Sequence, residues 1–368
     1  MKSIALLLLA LPLAGLAQTF RTDDAAFRLV KVVEGLEYPW SLAFLPDGRK
    51  LVTEKDGRLR SITGGTLDPQ PIEGVPRTER YGQGGLLEVA VHPQFEKNQL
   101  VYLSYSARAA DGVGTELARA RLEGNRLEDL RVLFRQSPKG HAGQHFGGRI
   151  VFDREGYLYL TLGDRGEMQR AQLPGDHAGS VIRLHDDGRV PKDNPFVKKP
   201  EWKPEKFTLG NRNMQGAALH PMTGELWTHE HGPQGGDEVN IIHAGVNYGW
   251  PVITYGRNYG IGTQIGEGTE KEGMAQPLHK WVPSIAPSGM AFYTGDKFPR
   301  WRGNLFVGAL RDRMLVRLVV DGKQVLKEER LLKNAIGRIR DVRMGPDGFL
   351  YLLNDDSDAA LYRLEPAG

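Results

Sequence analysis

The chain of 368 residues is long enough for one large domain or two ordinary ones, and its 40% hydrophobic and 25% charged residues are typical of a soluble globular protein. Its net charge of +3, with both signs scattered along the sequence, is too small to indicate binding to nucleic acid or to a membrane surface. Because the chain contains no cysteine, disulfide bonds and thiol chemistry are excluded.

The first 17 residues have the pattern of a secretory signal peptide. Lys2 precedes an apolar run over residues 4–13, and small residues then lead to an expected cleavage site after Ala17. The apolar run is too short to span a bilayer, and a buried first strand is the alternative interpretation. The sequence therefore predicts an exported protein, periplasmic or secreted from a bacterium, without stable membrane insertion.

A short pattern then recurs six times: a hydrophobic strand, a turn with Pro, Asp, Asn or Gly, and a second hydrophobic strand. The copies begin at Leu42, Val89, Ile150, Ala217, Met290 and Val342. Each interval between copies exceeds the roughly 40–45 residues of a simple propeller blade, which predicts long loops between strands. A β-sandwich with similar turns is the alternative, but its strands usually lack this repetition.

The repeats predict an all-β fold, a six-bladed β-propeller of four-stranded antiparallel blades whose long inter-strand loops form the active-site face. The segment 27–34 is expected to be an outer or closing strand, since propellers commonly complete the ring by pairing both chain ends. No segment shows a sustained helical pattern, and no linker divides the chain. We therefore predict a single domain over residues 18–368.

His145 and Asp164, which lie nineteen residues apart, are a candidate acid–base pair. If a strand pair separates them, both side chains can meet at one end of a blade. An aspartate that holds a histidine fixes its tautomer and raises its basicity, which is typical of a general base. A purely structural hydrogen bond between the two side chains is the alternative.

The densest group of polar residues lies between residues 209 and 251. It includes Arg212 next to an amide, the run His-Glu-His at 229–231, and the carboxylates of Asp237 and Glu238. A zinc site is a poor interpretation, because no third ligand with the usual spacing is evident. Calcium is better suited to carboxylates and to carbonyls freed by Gly and Pro. A solvated acidic loop is the alternative interpretation.

A third group is cationic and comprises Arg311, Arg338 and Arg340. Residues 338 and 340 are two positions apart at the start of a strand, so both guanidinium groups should point the same way. Paired arginines on one face suggest bidentate recognition of a ligand with several negative charges. Surface ion pairs with Asp312 and Asp341 are the alternative.

Together these motifs resemble the soluble sugar dehydrogenases that depend on pyrroloquinoline quinone (PQQ), of the glucose/aldose type. The resemblance extends over nearly the whole mature chain, from Pro39 to Asp355. In chain order the matching motifs are GQGGLL, HFGGR with GDRG, LGNRNMQG, EHGPQGGDEVN, NYGWP and GRIRDV. The resemblance implies a six-bladed propeller with PQQ in a cleft at one face, and Ca²⁺ as a second cofactor.

The resemblance also implies an activity and its residues. Aldose sugars would be oxidised at the anomeric carbon to lactones, with hydride transfer to the quinone and then electron transfer to an external acceptor of unknown identity. His145 matches the general base, Asp164 the carboxylate that orients it, and Gln83 the contact to the substrate hydroxyl. Arg212 matches the arginine beside the quinone carbonyl, where it would stabilise developing negative charge.

Further positions match the cofactor and metal contacts of the family. Those implied for PQQ are Arg212, Asn213, His231, Asp237, Arg311, Arg338 and Arg340. The carbonyl oxygens of Gly232 and Pro233 match ligands of an active-site calcium, and Glu238 and Tyr248 match ligands of a second, structural calcium.

Three departures distinguish this chain from the glucose-oxidising members. Arg311 stands where they carry a lysine, His231 replaces a glutamine, and the region 254–276 is shorter and rich in glycine. These differences favour the broad-specificity aldose branch and predict a monomer. Two other functions remain as alternatives: a non-catalytic propeller that binds a sugar or a protein, and a calcium-dependent propeller lactonase.

Overall fold

The computed structural model describes residues 18–367, so the signal peptide predicted at 1–17 lies outside the described residues. The described chain is a six-bladed β-propeller built almost entirely of antiparallel strands. Its helical elements are short: α1 (Phe95–Asn98) and two 3₁₀ turns at Met168–Gln172 and Pro299–Trp301. No helix within residues 18–367 is long and apolar enough to cross a membrane.

The strands follow the chain blade by blade. Two strands come first, β1 (Thr19–Arg21) and β2 (Ala26–Leu36). Blades one to three consist of β3 (Pro39–Phe44), β4 (Lys50–Glu54), β5 (Arg58–Thr63) and β6 (Thr66–Leu67), then β7 (Leu86–Val91), β8 (Leu100–Ala109), β9 (Gly112–Glu123) and β10 (Arg126–Arg135), then β11 (Ile150–Phe152), β12 (Leu158–Thr161) and β13 (Val181–Leu184). Blades four to six consist of β14 (Met214–Leu219), β15 (Leu226–Glu230), β16 (Asp237–Ile241) and β17 (His279–Trp281), then β18 (Pro287–Phe292), β19 (Leu305–Ala309), β20 (Met314–Asp321) and β21 (Gln324–Leu331), then β22 (Ile339–Met344), β23 (Leu350–Asn354) and β24 (Ala359–Pro366).

The ring closes through both ends of the described chain. The innermost strands β3, β7, β11, β14, β18 and β22 contact one another in this order, and β22 contacts β3. The N-terminal strand β2 pairs antiparallel with β24, with Val30 opposite Arg363. The prediction that segment 27–34 closes the ring is therefore confirmed, and each of the six repeats corresponds to the first two strands of a blade.

Two blades depart from the predicted four strands. The third blade has three, because the segment that follows β13 forms only an isolated bridge between Ile182 and Lys206. This segment carries prolines at 191, 195, 200 and 204, and proline lacks the amide donor that a strand ladder requires. The sixth blade has five strands, since β1 extends the sheet beyond β2.

The hydrophobic core lies between neighbouring blades. One cluster joins Trp227 and Val239 of the fourth blade to Met290 and Leu305 of the fifth. Strands that are buried on both faces need apolar side chains in continuous runs, which explains the hydrophobic stretches of the repeats.

A ring of four charged side chains closes the middle of the propeller, on the innermost strands and the loop before β11. Arg149 donates to Glu88 Oε2 at 2.7 Å and lies 2.9 Å from Asp341 Oδ1. Arg343 donates to Asp341 Oδ2 at 2.8 Å and also to Glu88. Since Arg149, Glu88 and Asp341 are almost completely buried, each charge depends on its neighbours in the ring.

Candidate active site

His145 and Asp164 form a buried pair at one end of the third blade. His145 lies in the loop before β11 and Asp164 follows β12, and the His145 Nδ1 to Asp164 Oδ1 distance is 2.6 Å. Trp250 Nε1 donates to the second oxygen, Oδ2, at 2.8 Å, and the Gly166 amide donates to Oδ1. Because a carboxylate only accepts here, Nδ1 carries the proton and His145 Nε2 keeps its lone pair.

Backbone geometry holds the pair together. His145 has a φ of +56°, which is unusual for a residue other than glycine. Its carbonyl packs against Gly163, where a Cβ atom would lie 2.2 Å from the oxygen. Only glycine permits this close approach, so the Gly163-Asp164 sequence brings the carboxylate within hydrogen-bonding distance of the imidazole.

The environment keeps His145 neutral. Burial lowers the pKa of His145 below its ordinary value, and the hydrogen bond and charge of Asp164 offset this only in part. For Asp164, burial opposes ionisation, but hydrogen bonds from His145 and Gly166 and the charge of Arg212 hold the pKa of the carboxyl below its usual range. The result is a neutral imidazole beside a carboxylate, which can accept a proton.

Gln83 is oriented by the same loop. Its Oε1 accepts a hydrogen bond of 2.9 Å from the His145 amide, so its Nε2 is left as the donor. The preceding Gly82 has a φ of +58°, and a Cβ there would lie 2.1 Å from the Gly143 carbonyl. This contact joins the GQGG turn to the loop of His145. The Gln83 side chain itself is exposed.

Arg212 is fixed by three kinds of contact. Its Nη1 donates to the carbonyls of His231 and Gly232 at 3.0 and 2.8 Å, and its guanidinium lies 5.2 Å from the centre of the Trp250 ring. Its backbone amide donates to Glu230 and its carbonyl accepts the Asp164 amide. Its Nε is buried without a partner within residues 18–367. Arg212 thus presents an unused donor next to the His145–Asp164 pair.

Gln83 lines a cavity of about 260 Å³ that gathers positive charge. Arg338 and Arg340 both donate to Asp355 Oδ2 at 3.0 Å, which confirms that the two guanidinium groups point the same way. Arg340 also donates to Gln215 Oε1 at 2.9 Å. Lys55 lines the cavity as a third cation. Other lining residues are Trp40, Gly82, Gln83, His231, Ala286 and Leu310.

The charge balance of this cavity suits an anionic ligand. Three cations face one carboxylate, and Arg340 Nε and Asp355 Oδ1 are buried without partners among the described residues. The arginines hold the pKa of Asp355 down to about 2, although burial opposes its ionisation. A quinone with three carboxylates would supply the missing negative charge. The residues therefore fit the group that the resemblance implies.

Asn213 follows Arg212 in the chain, and the His231 carbonyl accepts a hydrogen bond from Arg212 Nη1. Asn213 is fully buried; its Oδ1 accepts the Gly147 amide at 3.1 Å, and its Nδ2 has no partner among residues 18–367. His231 lines the cavity, and its Nε2 donates to the carbonyl of Pro287. Burial lowers the pKa of His231 well below its ordinary value, so it adds no charge to the site.

Asp237 and Arg311 have roles that the sequence did not indicate. Asp237 accepts hydrogen bonds from the amides of Gly232, Ile285 and Ala286 and from the Ser284 hydroxyl. All its acceptor capacity is used to join two loops, which leaves none for a ligand. Arg311 is exposed and donates to the Ser284 carbonyl at 2.6 Å, and its neighbour Leu310 lines the cavity instead.

The carbonyls predicted to bind an active-site calcium are engaged within the chain. That of Gly232 accepts Arg212 Nη1 at 2.8 Å, and that of Pro233 accepts the Gly235 amide at 3.0 Å. A guanidinium beside the Gly232 oxygen repels a second cation, and the nearby Asp237 is saturated. As arranged here, these residues do not fit a calcium ion.

Glu238 and Tyr248, the residues predicted to bind the second calcium, are better suited to a metal ion. Glu238 lies directly opposite Glu230 in the β15–β16 ladder, and both border a small cavity with Tyr248. Burial raises the pKa of both carboxyls, and for Glu238 the charge of Glu230 adds to this. The Tyr248 hydroxyl is occupied by Ile241 and His243, so only its carbonyl could bind a metal. Two facing carboxylates and a carbonyl suit a hard cation.

The structure adds three residues that sequence reasoning missed at this site: Lys55, Trp250 and Asp355. Trp250 belongs to the NYGWP motif, but its bond to Asp164 spans 86 positions. Lys55 and Asp355 each come directly after the second strand of a blade. This shared position in the repeat could have identified both residues from the sequence.

Within the described part of the chain, no group of three or more His, Cys, Asp or Glu side chains is arranged to hold a metal.

Comparison with known proteins agrees with this fold. The model of the glucose/sorbosone dehydrogenase family matches residues 36–363. The aldose sugar dehydrogenase YliI of Escherichia coli is 42% identical over 360 residues, which cover 96% of this chain and 97% of that protein.

Two solved structures are also similar. The apo-form of the soluble aldose sugar dehydrogenase from Escherichia coli has a TM-score of 0.90 and 44% identity, covering 92% of this chain and 99% of that one. The PQQ-bound form of an aldose sugar dehydrogenase from Streptomyces coelicolor has a TM-score of 0.76 and 27% identity, covering 93% and 98%. Since the family model spans most of the sequence, the chain belongs to the glucose/sorbosone dehydrogenase family.

Proposed function

We propose that this protein is a PQQ-dependent aldose dehydrogenase, which oxidises the anomeric carbon of aldose sugars to lactones. Its relatives are named as aldose sugar dehydrogenases, and one of them is described as PQQ-bound. The observation that carries the proposal is the neutral imidazole of His145, whose Nδ1 is held by Asp164 and whose Nε2 keeps its lone pair. Gln83, whose Oε1 accepts the His145 amide, connects this pair to a cavity with an excess of cations.

His145 is the general base in this proposal. Its Nε2 takes the proton of the anomeric hydroxyl, and the carboxylate of Asp164 stabilises the imidazolium that forms. Gln83 positions the sugar, because its Oε1 is already held by the His145 amide and its Nε2 can donate to a sugar oxygen. When bound, PQQ supplies the acceptor for the hydride that the anomeric carbon loses.

The cofactor would be held by charge. Arg338 and Arg340 are the two cations that we assign to its carboxylates, with Asp355 holding both guanidinium groups in place. Arg212 Nε and Asn213 Nδ2, both buried without partners within residues 18–367, are donors available to carbonyl oxygens. Fixed donors of this kind stabilise negative charge at the reacting oxygens without reorganisation.

Calcium is proposed at one site only. Glu238, the Tyr248 carbonyl and the facing Glu230 would hold a structural ion near Arg212, whose amide donates to Glu230.

We further propose that the mature chain from residue 18 forms one monomeric domain in the periplasm or outside the cell. It would pass its electrons to an external acceptor.

Reconstitution tests the activity. The purified apo-protein is mixed with PQQ and calcium, and dye reduction is followed with glucose, galactose, xylose and maltose. We expect turnover with several aldoses and a quinone spectrum that survives dialysis. No turnover, together with loss of the quinone on dialysis, would refute the proposal. A lactone substrate added without PQQ separates this activity from that of a lactonase.

The variant His145→Ala tests the role of the base. A positioned general base contributes about 10² to 10⁴ in rate, so we expect a loss of kcat of this size. Quinone binding should be largely kept, because His145 is not among the cations assigned to the cofactor. Turnover at the wild-type rate would remove His145 from this role.

A further inference from the structure

Four blades contribute the same repeat position to the cavity lining. In each of them the residue that lines the cavity comes directly after the second strand: Lys55 after β4, His231 after β15, Leu310 after β19 and Asp355 after β23. Arg212, Arg338 and Arg340 precede first strands or lie at their starts. Lys55 is therefore the residue through which the first blade contributes charge to the site.

The backbone at Lys55 is closely fixed. Its amide donates to the Tyr38 carbonyl at 3.1 Å, and its carbonyl accepts the Leu86 amide at 3.2 Å. Gly85 packs so tightly on it that a Cβ there would lie 2.2 Å from the Lys55 carbonyl oxygen. The main chain cannot carry this side chain away from the cavity without breaking these contacts.

The ammonium of Lys55 is not neutralised within residues 18–367. Asp355 is the carboxylate in the cavity lining, and its Oδ2 is already shared by Arg338 and Arg340. Burial lowers the pKa of Lys55 to about 8, and the charge of Arg340 contributes in the same direction. A partly buried ammonium among other cations is unfavourable unless an anion occupies the cavity.

The chemistry of the two expected ligands distinguishes them. An aldose is neutral and would gain only ordinary hydrogen bonds from an ammonium, whereas PQQ carries carboxylates. A charge-assisted contact is roughly twice as strong as a neutral one. The excess of positive charge at Lys55, Arg338 and Arg340 therefore favours the cofactor over the sugar as the partner of Lys55.

We propose that Lys55 binds a carboxylate of the quinone cofactor and is a third cationic contact beside Arg338 and Arg340. This inference rests on the proposed function. It predicts that Lys55 affects cofactor affinity and leaves the sugar's KM unchanged once the cofactor is saturating.

The test measures PQQ binding to the apo-protein by equilibrium dialysis at pH 7. Lys55→Met should raise the Kd about 10- to 100-fold, as expected for the loss of a charge-assisted contact. Lys55→Arg should stay within a few-fold of wild type. The matched control is Lys50→Met at the opposite end of β4, whose ammonium lies over Phe44 and Tyr351. The Kd of this variant should equal that of the wild type.

Salt dependence provides a readout that a structural role would not affect. The Kd of the wild type should rise more steeply with ionic strength than that of Lys55→Met. If Lys55→Met does not fold, Lys55→Gln replaces it, and thermal melting checks both. Three results would overturn the inference. They are an unchanged Kd of PQQ in a folded neutral variant, an equal loss of PQQ affinity in Lys55→Arg, and a higher KM for the sugar at saturating PQQ. Failure of the wild type to bind PQQ would instead refute the proposed function.

Discussion

The indole Nε1 of Trp250 donates a hydrogen bond of 2.8 Å to Asp164 Oδ2, so one carboxylate is held from both sides. Its other oxygen, Oδ1, lies 2.6 Å from His145 Nδ1. The indole fixes the rotation of the carboxylate and takes up part of its negative charge. Since the same ring lies beside the Arg212 guanidinium, Trp250 connects the base to a cation of the site.

Trp250→Phe should lower kcat about 10-fold while leaving the Kd of PQQ unchanged. The phenyl ring keeps most of the packing, and the lost hydrogen bond to a charged group corresponds to about 1.5 kcal/mol. Without the indole donor, the negative charge of Asp164 acts more strongly on His145 and raises its pKa. The acid limb of the kcat profile should therefore move to higher pH in the variant.

The control for Trp250 is Trp202→Phe, in the segment that replaces the fourth strand of the third blade, where the indole stacks on Phe196. Its kcat and pH profile should equal those of the wild type. A Trp250→Phe protein with the wild-type kcat and an unshifted acid limb would show that the indole does not position Asp164.

The pH dependence of kcat/KM follows from the direction of the His145 shift. Burial lowers the pKa of His145 in the folded protein, and only the deprotonated imidazole can accept a proton. Activity is thus present above this pKa and lost as the pH falls through it. We expect the acid limb below pH 6.5, where an unperturbed histidine titrates. A steady-state profile with an aldose at saturating PQQ measures it, and a limb above pH 6.5 would contradict the assignment.

Much of the fold could be predicted from the sequence, because hairpin repeats are a local pattern. Six strand–turn–strand copies placed the first two strands of every blade, and residues 27–34 were recognised as the closing strand. The missing fourth strand of the third blade was not anticipated, although its prolines are visible in the sequence. Which segment fills an edge position depends on tertiary packing more than on local propensity.

The site could be predicted where the residues that contact each other are close together in the sequence. His145 and Asp164 meet because one short strand pair separates them, and Arg338 and Arg340 converge because they are two apart. The bond between Trp250 and Asp164 depends on the register between blades, which no local pattern encodes. Asp237 was expected near the cofactor, but its hydrogen bonds to Gly232 and the loop 284–286 use all its acceptors.

Glu238→Gln should abolish most of the stabilisation that calcium gives. In the wild type without PQQ, added calcium should raise the melting temperature and a chelator should lower it, because Glu230 and Glu238 face each other across the β15–β16 ladder. The neutral amide removes one charge of the pair and weakens the site. Differential scanning fluorimetry measures the response, with Glu96→Gln on α1 as the control. An equal response in wild type and Glu238→Gln would exclude this pair as the calcium site.

Arg149→Met tests the ring of charges that closes the propeller. Arg149 pairs with both Glu88 and Asp341 and lies 4.1 Å from the centre of the Trp40 ring. Without it, Arg343 alone must neutralise two buried carboxylates, and breaking a buried pair costs about 3–5 kcal/mol.

Urea unfolding should therefore show a lower midpoint for Arg149→Met, with the slope unchanged if the native state keeps its compactness. The exposed Arg121, which pairs with Glu123 and Asp129 at the surface, provides the control, since Arg121→Met should leave the midpoint unchanged. Equal midpoints for the two variants would mean that the ring adds nothing to stability beyond the packing of its side chains. A selective loss in Arg149→Met would show that the second, third and sixth blades are held together by charge as well as by the apolar surfaces between them.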